Sequence, residues 1–494
     1  MESYKKTNKP RILNIVPISI GSGEVSLGPL YISSALKKAG FDSVVFFPDL
    51  SLIMHFPIKY DFIQHQLDYI MKQIRPEVVT FSVLSTNYNL SKSWAEYIKT
   101  NFNTTHIIFG GIHSMIEGEN IIKLDYVDAV CLGEGEFSLP QYLELILNNK
   151  LTQENSLNIT YKLKGKIINS KKEQVFLSLD EYPFPDREPL KYYYREGVLD
   201  SANFITGRGC PYNCFYCNAA MLNQNKGYLR FRSPGNVIDE IIEVKAKFEL
   251  KKVIFSDETF TMNKNNLFKL LELYKSKVNL PFECQTRVEA INDDIAKELT
   301  NSGCESITLG IESGNEYIRE KYLNRKMKND QIIKAFHILK KYNIRTNSFN
   351  MIGLPGDTEK TIWEGIDLNI KAKVDSAACT IFMPFKKTPI FEWYQDKKLI
   401  IAEPNTNYYE NIVIKHPNLS KLSLFFYSLN FNTLIKLESN KFKRMFKVFL
   451  WVKLFFLLFK GFLLKLIKNP LKLIAMNTFM KNYYGRLSVK GIIE

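Results

Sequence analysis

Apolar, β-branched runs alternate with amphipathic helical segments twice along this chain, and that alternation restricts its fold more than any other feature. In residues 9 to about 150 the runs "RILNIVPI", "DSVVFFPDL", "EVVTFSVLS", "THIIFGG" and "AVCLGEGE" read as buried strands. "GPLYISSALKKAG", closed by Gly40, and "SKSWAEYIKTNF" read as helices between them. Near-continuous apolar strands joined by helices predict a doubly wound parallel sheet. Ligands of such sheets sit beyond the carboxyl ends of the strands. Those loops here are Pro17–Gly28, Ser82–Asn87, Gly110–His113 and Gly133–Glu136. A second series starts at Ala202: "NFITGRGC", "VIFSDETF", "PFECQTRV", "ESITLGIES", "TNSFNMIGLPG" and "ACTIFMPF". Six strand–helix units over 201–395 predict a partial β/α barrel with its chemistry at the carboxyl ends of the strands.

Residues 151–200 are polar and then proline-rich ("LDEYPFPDREPL"), which predicts a linker running over the surface. The stretch from about 395 to 440 reads as irregular and aromatic. A chain of 494 residues is too long for one core, so several domains are expected. Its 45% apolar and 24% charged residues are those of a folded protein. Seven cysteines in that length do not make a secreted disulfide scaffold and point to a reducing cytosol. The segment "MESYKKTNKPRILNIVP" lacks the apolar stretch of a signal peptide.

Of the net charge of +15, +12 lies in residues 421–494. Nucleic-acid binders spread basic residues over a folded domain, so no nucleic-acid partner is expected. A basic, apolar tail points instead to an anionic membrane surface. Within "MFKVFLWVKLFFLLFKGFLLKLIKNPLKLI", Lys447, Lys453, Lys460, Lys465, Lys468 and Lys472 fall within an arc of roughly 140° at helical periodicity. The longest uncharged run there, Leu454–Phe459, is far too short to span a bilayer. The C-terminal region 396–494 is therefore expected to carry an interfacial amphipathic helix over about 442–468, ended by Pro470. The competing reading packs its apolar face onto the barrel.

The sharpest chemical signal is "GRGCPYNCFYC", with Cys210, Cys214 and Cys217 directly after a strand. Three soft thiolates in one loop suit an iron–sulfur cluster or zinc. Structural zinc takes four ligands in paired units, and Cys131, Cys284, Cys304 and Cys379 are isolated. Three ligands leave a fourth position open, so an iron of a 4Fe–4S cluster can bind a small molecule there. A zinc knuckle that borrows a distant ligand is the alternative. The isolated cysteines read as small buried residues, with Cys304 and Cys379 open to a part in hydrogen transfer.

The C-x3-C-x2-C motif, with Tyr216 before its last cysteine, resembles the radical S-adenosylmethionine superfamily. "RFRSPGNVIDEI", "VIFSDETFTMNK", "RVEAINDDIAKELTNSGCESITLGIESGNE" and "MIGLPGDT" look like successive barrel segments of one of its subgroups. "LGPLYISSALKKAGF", "IIFGGIHS" and "LGEGE" look like a cobalamin-binding domain fused ahead of the barrel. The likeness covers about residues 10–395. It implies three cofactors: a 4Fe–4S cluster, S-adenosylmethionine chelated to its open iron, and cobalamin. One-electron reduction then yields a 5′-deoxyadenosyl radical that abstracts a substrate hydrogen.

Several residues have both a bland and a functional reading. Asp257 and Glu258 follow a strand and could accept hydrogen bonds from an amine or ribose, or Asp257 could cap a helix. Arg287 could grip a carboxylate, or pair with Asp257, Glu258 or Glu312. Glu312 and Ser313, between Gly310 and Gly314, could touch the adenosyl group or form a tight turn. The resemblance sets Tyr216, Asp257 or Glu258, Arg287, Glu312 and Ser313 around S-adenosylmethionine. The turn Gly353–Thr358 could approach a ligand, with Thr358 capping the next helix. For cobalamin, Gly110, Gly111 and the loop Gly133, Glu134 and Gly135 could lie under the macrocycle, while Ser82, Ser85 and Thr86 reach its nucleotide tail. "PISIGSGEVSLG" has no D-x-H-x-x-G, so no protein histidine is expected on cobalt; His113 reads as a rim or surface residue. Lys386-Lys387 stand where relatives carry Pro-Gly, which could alter a substrate-facing loop or be a solvated turn.

The resemblance implies methylation of an unactivated carbon of a small, lipid-like substrate. A radical cyclase, oxidase or rearrangement enzyme fits the same motifs, and a membrane-associated iron–sulfur regulatory protein is the reading from another class. A reductant such as flavodoxin or ferredoxin is implied, as is a cytoplasmic location, peripheral on the inner face of the membrane.

Overall fold

The computed structural model describes residues 10–17, 26–48, 61–102, 105–170, 176–192, 198–222, 226–403 and 412–438. The first domain is built on β1 (Arg11–Ile15), β2 (Asp42–Phe46), β3 (Val78–Ser82), β4 (His106–Gly110) and β5 (Ala129–Cys131). These pair in parallel in the order β2-β1-β3-β4-β5. The helices α1 (Leu27–Lys38), α2 (Asp61–Ile74), α3 (Tyr88–Asn101), α4 (Ile112–Ile121) and α5 (Gly135–Leu147) form the crossovers. Both sheet faces are covered, which is why the strands are apolar without alternation. Leu13, Ile15, Phe81 and Phe109 face one core; Ile12, Val78 and Ile108 face the other with Tyr142 and Leu143.

The expected linker 151–200 is different in the structure. The hairpin β6 (Ile159–Leu163) and β7 (Lys166–Ile168) extends the first sheet antiparallel from β5. Only the partner strand can reveal this, because the hairpin is set in a polar stretch and its outer strand β7 is an exposed edge. The proline-rich part does not lie over the surface either. Leu179, Tyr182, Arg187 and Leu190 are buried between the domains.

The second domain is an open barrel wall of six parallel strands in sequential order: β8 (Ala202–Phe204), β9 (Val253–Phe255), β10 (Phe282–Thr286), β11 (Cys304–Glu312), β12 (Arg345–Ile352) and β13 (Ser376–Ile381). Helices α6 (Pro234–Lys247), α7 (Lys264–Lys277), α8 (Asp293–Asn301), α9 (Glu316–Leu323), α10 (Asn329–Lys341) and α11 (Glu359–Ala372) back its outer face. Phe255, Phe260, Tyr274 and Phe282 form an aromatic knot in that core, with centroids 4.5–6.1 Å apart. All six strands point their carboxyl ends to one rim.

Two helices follow, α12 (Pro389–Asp396) and α13 (Lys421–Glu438). The second corrects the irregular reading of 395–440. Leu424, Tyr427, Phe431, Leu434 and Ile435 recur at helical spacing and pack on Ile352, Ala377 and Ile381. The expected interfacial helix over 442–468 lies outside the described residues. Among the described residues no helix is long and apolar enough to cross a membrane.

Candidate active site

The loop after β8 carries Cys210, Cys214 and Cys217. Two neighbours fix its backbone: the Phe215 N–H donates to the Leu323 carbonyl, and the Ile390 N–H to the Phe215 carbonyl. The Asn324 amide donates to the Asn213 carbonyl at 2.7 Å. Among the described residues no three His, Cys, Asp or Glu side chains converge as ligands of one metal ion. The three thiols share one short loop, Cys214 buried and Cys210 and Cys217 half-buried. Burial raises the thiol pKa of Cys210, and that of Cys217 to about 11. Thiolates are the ligating form, so bound iron is what would ionise them.

Arg287 follows β10 and lies against this loop. Its Nη1 is 3.2 Å from Cys214 Sγ, and its guanidinium carbon is 3.7 Å from the centre of the Tyr212 ring. The ion-pair partner is Glu289, at 2.5 Å, rather than Asp257, Glu258 or Glu312. The short 3-10 turn Val288–Ala290 brings Glu289 back beside Arg287, which linear spacing hides.

Asp257 follows β9 and does not cap α7; Asn263 does. Asp257 Oδ1 accepts from the Thr206 N–H, the Thr206 hydroxyl and the Gly207 N–H at 2.7–2.9 Å. Its Oδ2 is buried without a partner. Desolvation lifts the carboxyl to about 7 against those bonds. Such an oxygen is an open acceptor for a cationic amine or a ribose hydroxyl. Glu258 beside it is exposed, and surrounding protein raises its carboxyl by desolvation.

Glu312 ends β11 in the left-handed region, at φ 68°. Its Oε1 accepts from Arg325 at 2.8 Å and from the Tyr216 hydroxyl at 3.0 Å. A Cβ on Gly310 would collide with this carboxylate and with Arg325. Ser313 is buried, and its carbonyl accepts from Arg319. Tyr216, Glu312 and Ser313 are therefore together, braced by two arginines. The turn Gly353–Thr358 is held by the chain itself: Tyr394 and His416 bond the Gly353 and Leu354 carbonyls, and Thr358 caps α11.

In the first domain a cavity of about 300 Å³ opens at the strand ends. Ile15, Phe81, Ile108 and Leu139 make it apolar; Asn14, Thr80 and Ser82 edge it. Gly110, Gly111, Gly133, Glu134 and Gly135 line it as expected. Ser85 and Thr86 do not. Ser85 Oγ is instead 2.9 Å from His113 Nδ1, and His113 is buried against Tyr88, so it is no surface residue. Gly111 sits at φ 93°, and a Cβ there would meet the Val83 backbone at 2.8 Å. Ile205, Arg208, Leu222 and Tyr228 of the second domain close the other side. An apolar slot with a few polar edges suits a corrinoid, and its volume takes a part of one.

Glu134 serves the domain interface as well. It accepts from Arg208 at 2.9 Å, from Tyr182 at 2.8 Å, and from Arg230. Two guanidiniums outweigh burial and hold its carboxyl below the usual range. Lys386 and Lys387 form a turn, with Lys387 exposed, whose side chains are tethered to the first domain. They reach α4, at Glu117 (3.6 Å) and the Ile116 carbonyl, where the helix is kinked. Sequence reasoning missed Arg208, Arg319 and Arg325; only Arg208, in "GRGC", had a local signal, its place beside the first cysteine.

Residues 13–143 match the family model of the B12 binding domain, and residues 204–368 that of the radical SAM superfamily. The chain belongs to the cobalamin-binding radical S-adenosylmethionine enzymes. A 4Fe–4S cluster, S-adenosylmethionine and cobalamin are the cofactors of this enzyme. An uncharacterized methyltransferase of Pyrococcus horikoshii is 26% identical over 337 residues, 67% of this enzyme and 72% of that protein. The anaerobic magnesium-protoporphyrin IX monomethyl ester cyclase of Rubrivivax gelatinosus is 22% identical over 377 residues, 74% of this enzyme and 66% of that one. The solved structure of the radical S-adenosylmethionine methyltransferase TsrM from Kitasatospora setae, with cobalamin and a 4Fe–4S cluster, superposes with a TM-score of 0.64 at 16% identity. It covers 79% of this enzyme and 75% of TsrM, a likeness of fold.

Proposed function

We propose that this enzyme methylates an unactivated carbon of a small, largely apolar molecule. The observation that carries the reading is the shared cavity: residues next to the cysteine loop, Ile205 and Arg208, form one wall of the cobalamin slot. When bound, the cluster and S-adenosylmethionine supply a hydrogen-abstracting radical and the corrinoid supplies the methyl group. The roles proposed for the chain follow from its geometry. Cys210, Cys214 and Cys217 hold the cluster. Asp257 Oδ2 accepts from the S-adenosylmethionine amine, Arg287 faces its carboxylate, and Tyr216, Glu312 and Ser313 border the adenosyl group. Gly110, Gly111, Gly133 and Gly135 line the cavity that receives the corrinoid.

The apolar substrate is supported by Phe349. It lies mid-strand in β12, 46% exposed, while its neighbour Ser348 faces the helices through a 2.6 Å bond to Asn369. Phe349 therefore faces the inside of the open barrel, in register with Ala378 on β13. The lysine stripe of 442–468 supports a peripheral site on the cytoplasmic face of an anionic membrane, where such a substrate would partition. A flavodoxin or ferredoxin would deliver the electron. The second reading, ring formation, is favoured by the match to the cyclase of Rubrivivax gelatinosus.

Anaerobic protein, supplied with cobalamin, iron and sulfide, is to be incubated with dithionite and S-adenosylmethionine. 5′-Deoxyadenosine together with S-adenosylhomocysteine supports methyl transfer; deoxyadenosine alone supports the cyclase reading. Cys214→Ala should abolish cluster binding and both products. Retained turnover in that variant would end both readings.

A further inference from the structure

Arg208 lines the cavity of the first domain and lies directly ahead of the cysteine loop. Only Gly209 separates it from Cys210. Its Nη1 donates to Glu134 at 2.9 Å and its Nη2 to Glu136 at 2.6 Å. Glu134 and Glu136 sit at the start of α5, and both line the corrinoid cavity with Arg208. The guanidinium also lies 5.0 Å from the Tyr31 ring and 5.5 Å from the Tyr182 ring. Tyr31 is a further wall of the cavity.

A planar fork held by two carboxylates and two rings has one low-energy placement. Glu134 cannot follow a displaced guanidinium freely. The second oxygen of Glu134 takes the Tyr182 hydroxyl, and Arg230 ties Glu134 to the Leu177 carbonyl. Other side chains also join the domains, Arg230 with Glu134, Arg232 with the Tyr31 hydroxyl at 3.5 Å, and Lys386 and Lys387 with α4, but of these arginines and lysines Arg208 is the one nearest Cys210 in the chain. A change in the cysteine loop therefore reaches the cavity rim through Arg208.

We propose that Arg208 is a positioning residue that couples the two sites. Ligating the cluster fixes the loop, the loop fixes Arg208, and Arg208 sets Glu134 and Glu136 at the cavity rim. Cluster-loaded enzyme then binds cobalamin more tightly than cluster-free enzyme, and cobalamin favours the cluster by the same factor, because coupling is reciprocal. This rests on the reading that both cofactors bind.

The test is a hydroxocobalamin titration of the full chain, followed by absorbance, with and without the reconstituted cluster. Wild type should bind at least about fivefold more tightly when loaded, the lower end of ordinary coupling. Arg208→Gln and Arg208→Lys should bring the two affinities within about twofold, with iron and sulfide per chain unchanged. Lysine keeps the charge and loses the fork, so R208K decides the matter if R208Q does not fold. Tyr182→Phe removes one bond to Glu134 alone and should keep the coupling. A structural role would weaken both affinities equally and leave their ratio intact. A wild-type ratio of one, or a wild-type ratio in R208K, overturns the proposal. Failure to bind cobalamin in either form overturns the cofactor reading itself.

Discussion

Arg319 offers a clean contest between two opposing energies. Its side chain is fully buried, and its hydrogen bonds run to neutral acceptors. These are the Ser313 carbonyl at 2.5 Å, the Met327 carbonyl at 3.1 Å and the Asn329 side-chain oxygen at 2.6 Å. Desolvation drives its pKa down to about 10. At about 1.4 kcal/mol per pKa unit, keeping the charge at neutral pH costs roughly 3 kcal/mol. Three bonds from a charged donor contribute about 1.5–3 kcal/mol each, so the bonds win. Arg319→Met removes both effects and leaves three buried acceptors unpaired; a net loss of about 2–6 kcal/mol is expected. Hydrogen exchange of residues 313–329 reports this opening energy locally, without assuming that a two-domain chain unfolds in one step. S-Adenosylmethionine affinity should fall with it, since Ser313 is held by that arginine. Exchange in R319M equal to wild type would refute the reasoning, because the guanidinium would then be no net anchor.

Two adjacent glycines should separate folding from binding. Gly111→Ala places a Cβ against the Val83 backbone at φ 93° and should destabilise the first domain by more than about 1 kcal/mol. Gly110→Ala meets only ordinary contact, 3.7 Å from Cys131, yet intrudes on the cavity; cobalamin titration should weaken while the melting temperature holds. Equal behaviour of the two variants would contradict this. Burial lowers the pKa of His113 to about 4, below the ordinary 6.5. A depressed histidine contributes stability that is present above about pH 6.5 and lost toward pH 4, roughly 3 kcal/mol in all. Melting curves across that window should flatten in His113→Phe, which keeps the ring against Tyr88; parallel curves would reject the assignment.

Local pattern carried the fold a long way. Five apolar runs became the parallel strands β1–β5, because strands buried on both faces need continuous apolar sequence, and six became the barrel wall, whose strands alternate between the packed outer face and the open inside. The cysteine triplet, Asp257, Glu312 and Ser313 were legible because each follows directly on a readable strand end. The hairpin β6–β7 was not, since its place in the sheet depends on β5 as partner. Helix α13 was hidden among aromatics whose spacing, from Leu424 to Ile435, acquires meaning only against β13 and α11.

By itself the sequence determined the two-domain order and the family, since those depend on local apolar runs and on motif spacing within a few residues. Tertiary structure alone decided which partners the charges take. Arg287 turned to Glu289 and Cys214, Glu134 turned to Arg208 and Arg230, and Ser85 turned to His113 rather than to the cavity. Buried charges and hydroxyls must find partners wherever the fold brings them within about 3 Å, and for Glu134 and Arg230 those positions are 96 residues apart in the chain.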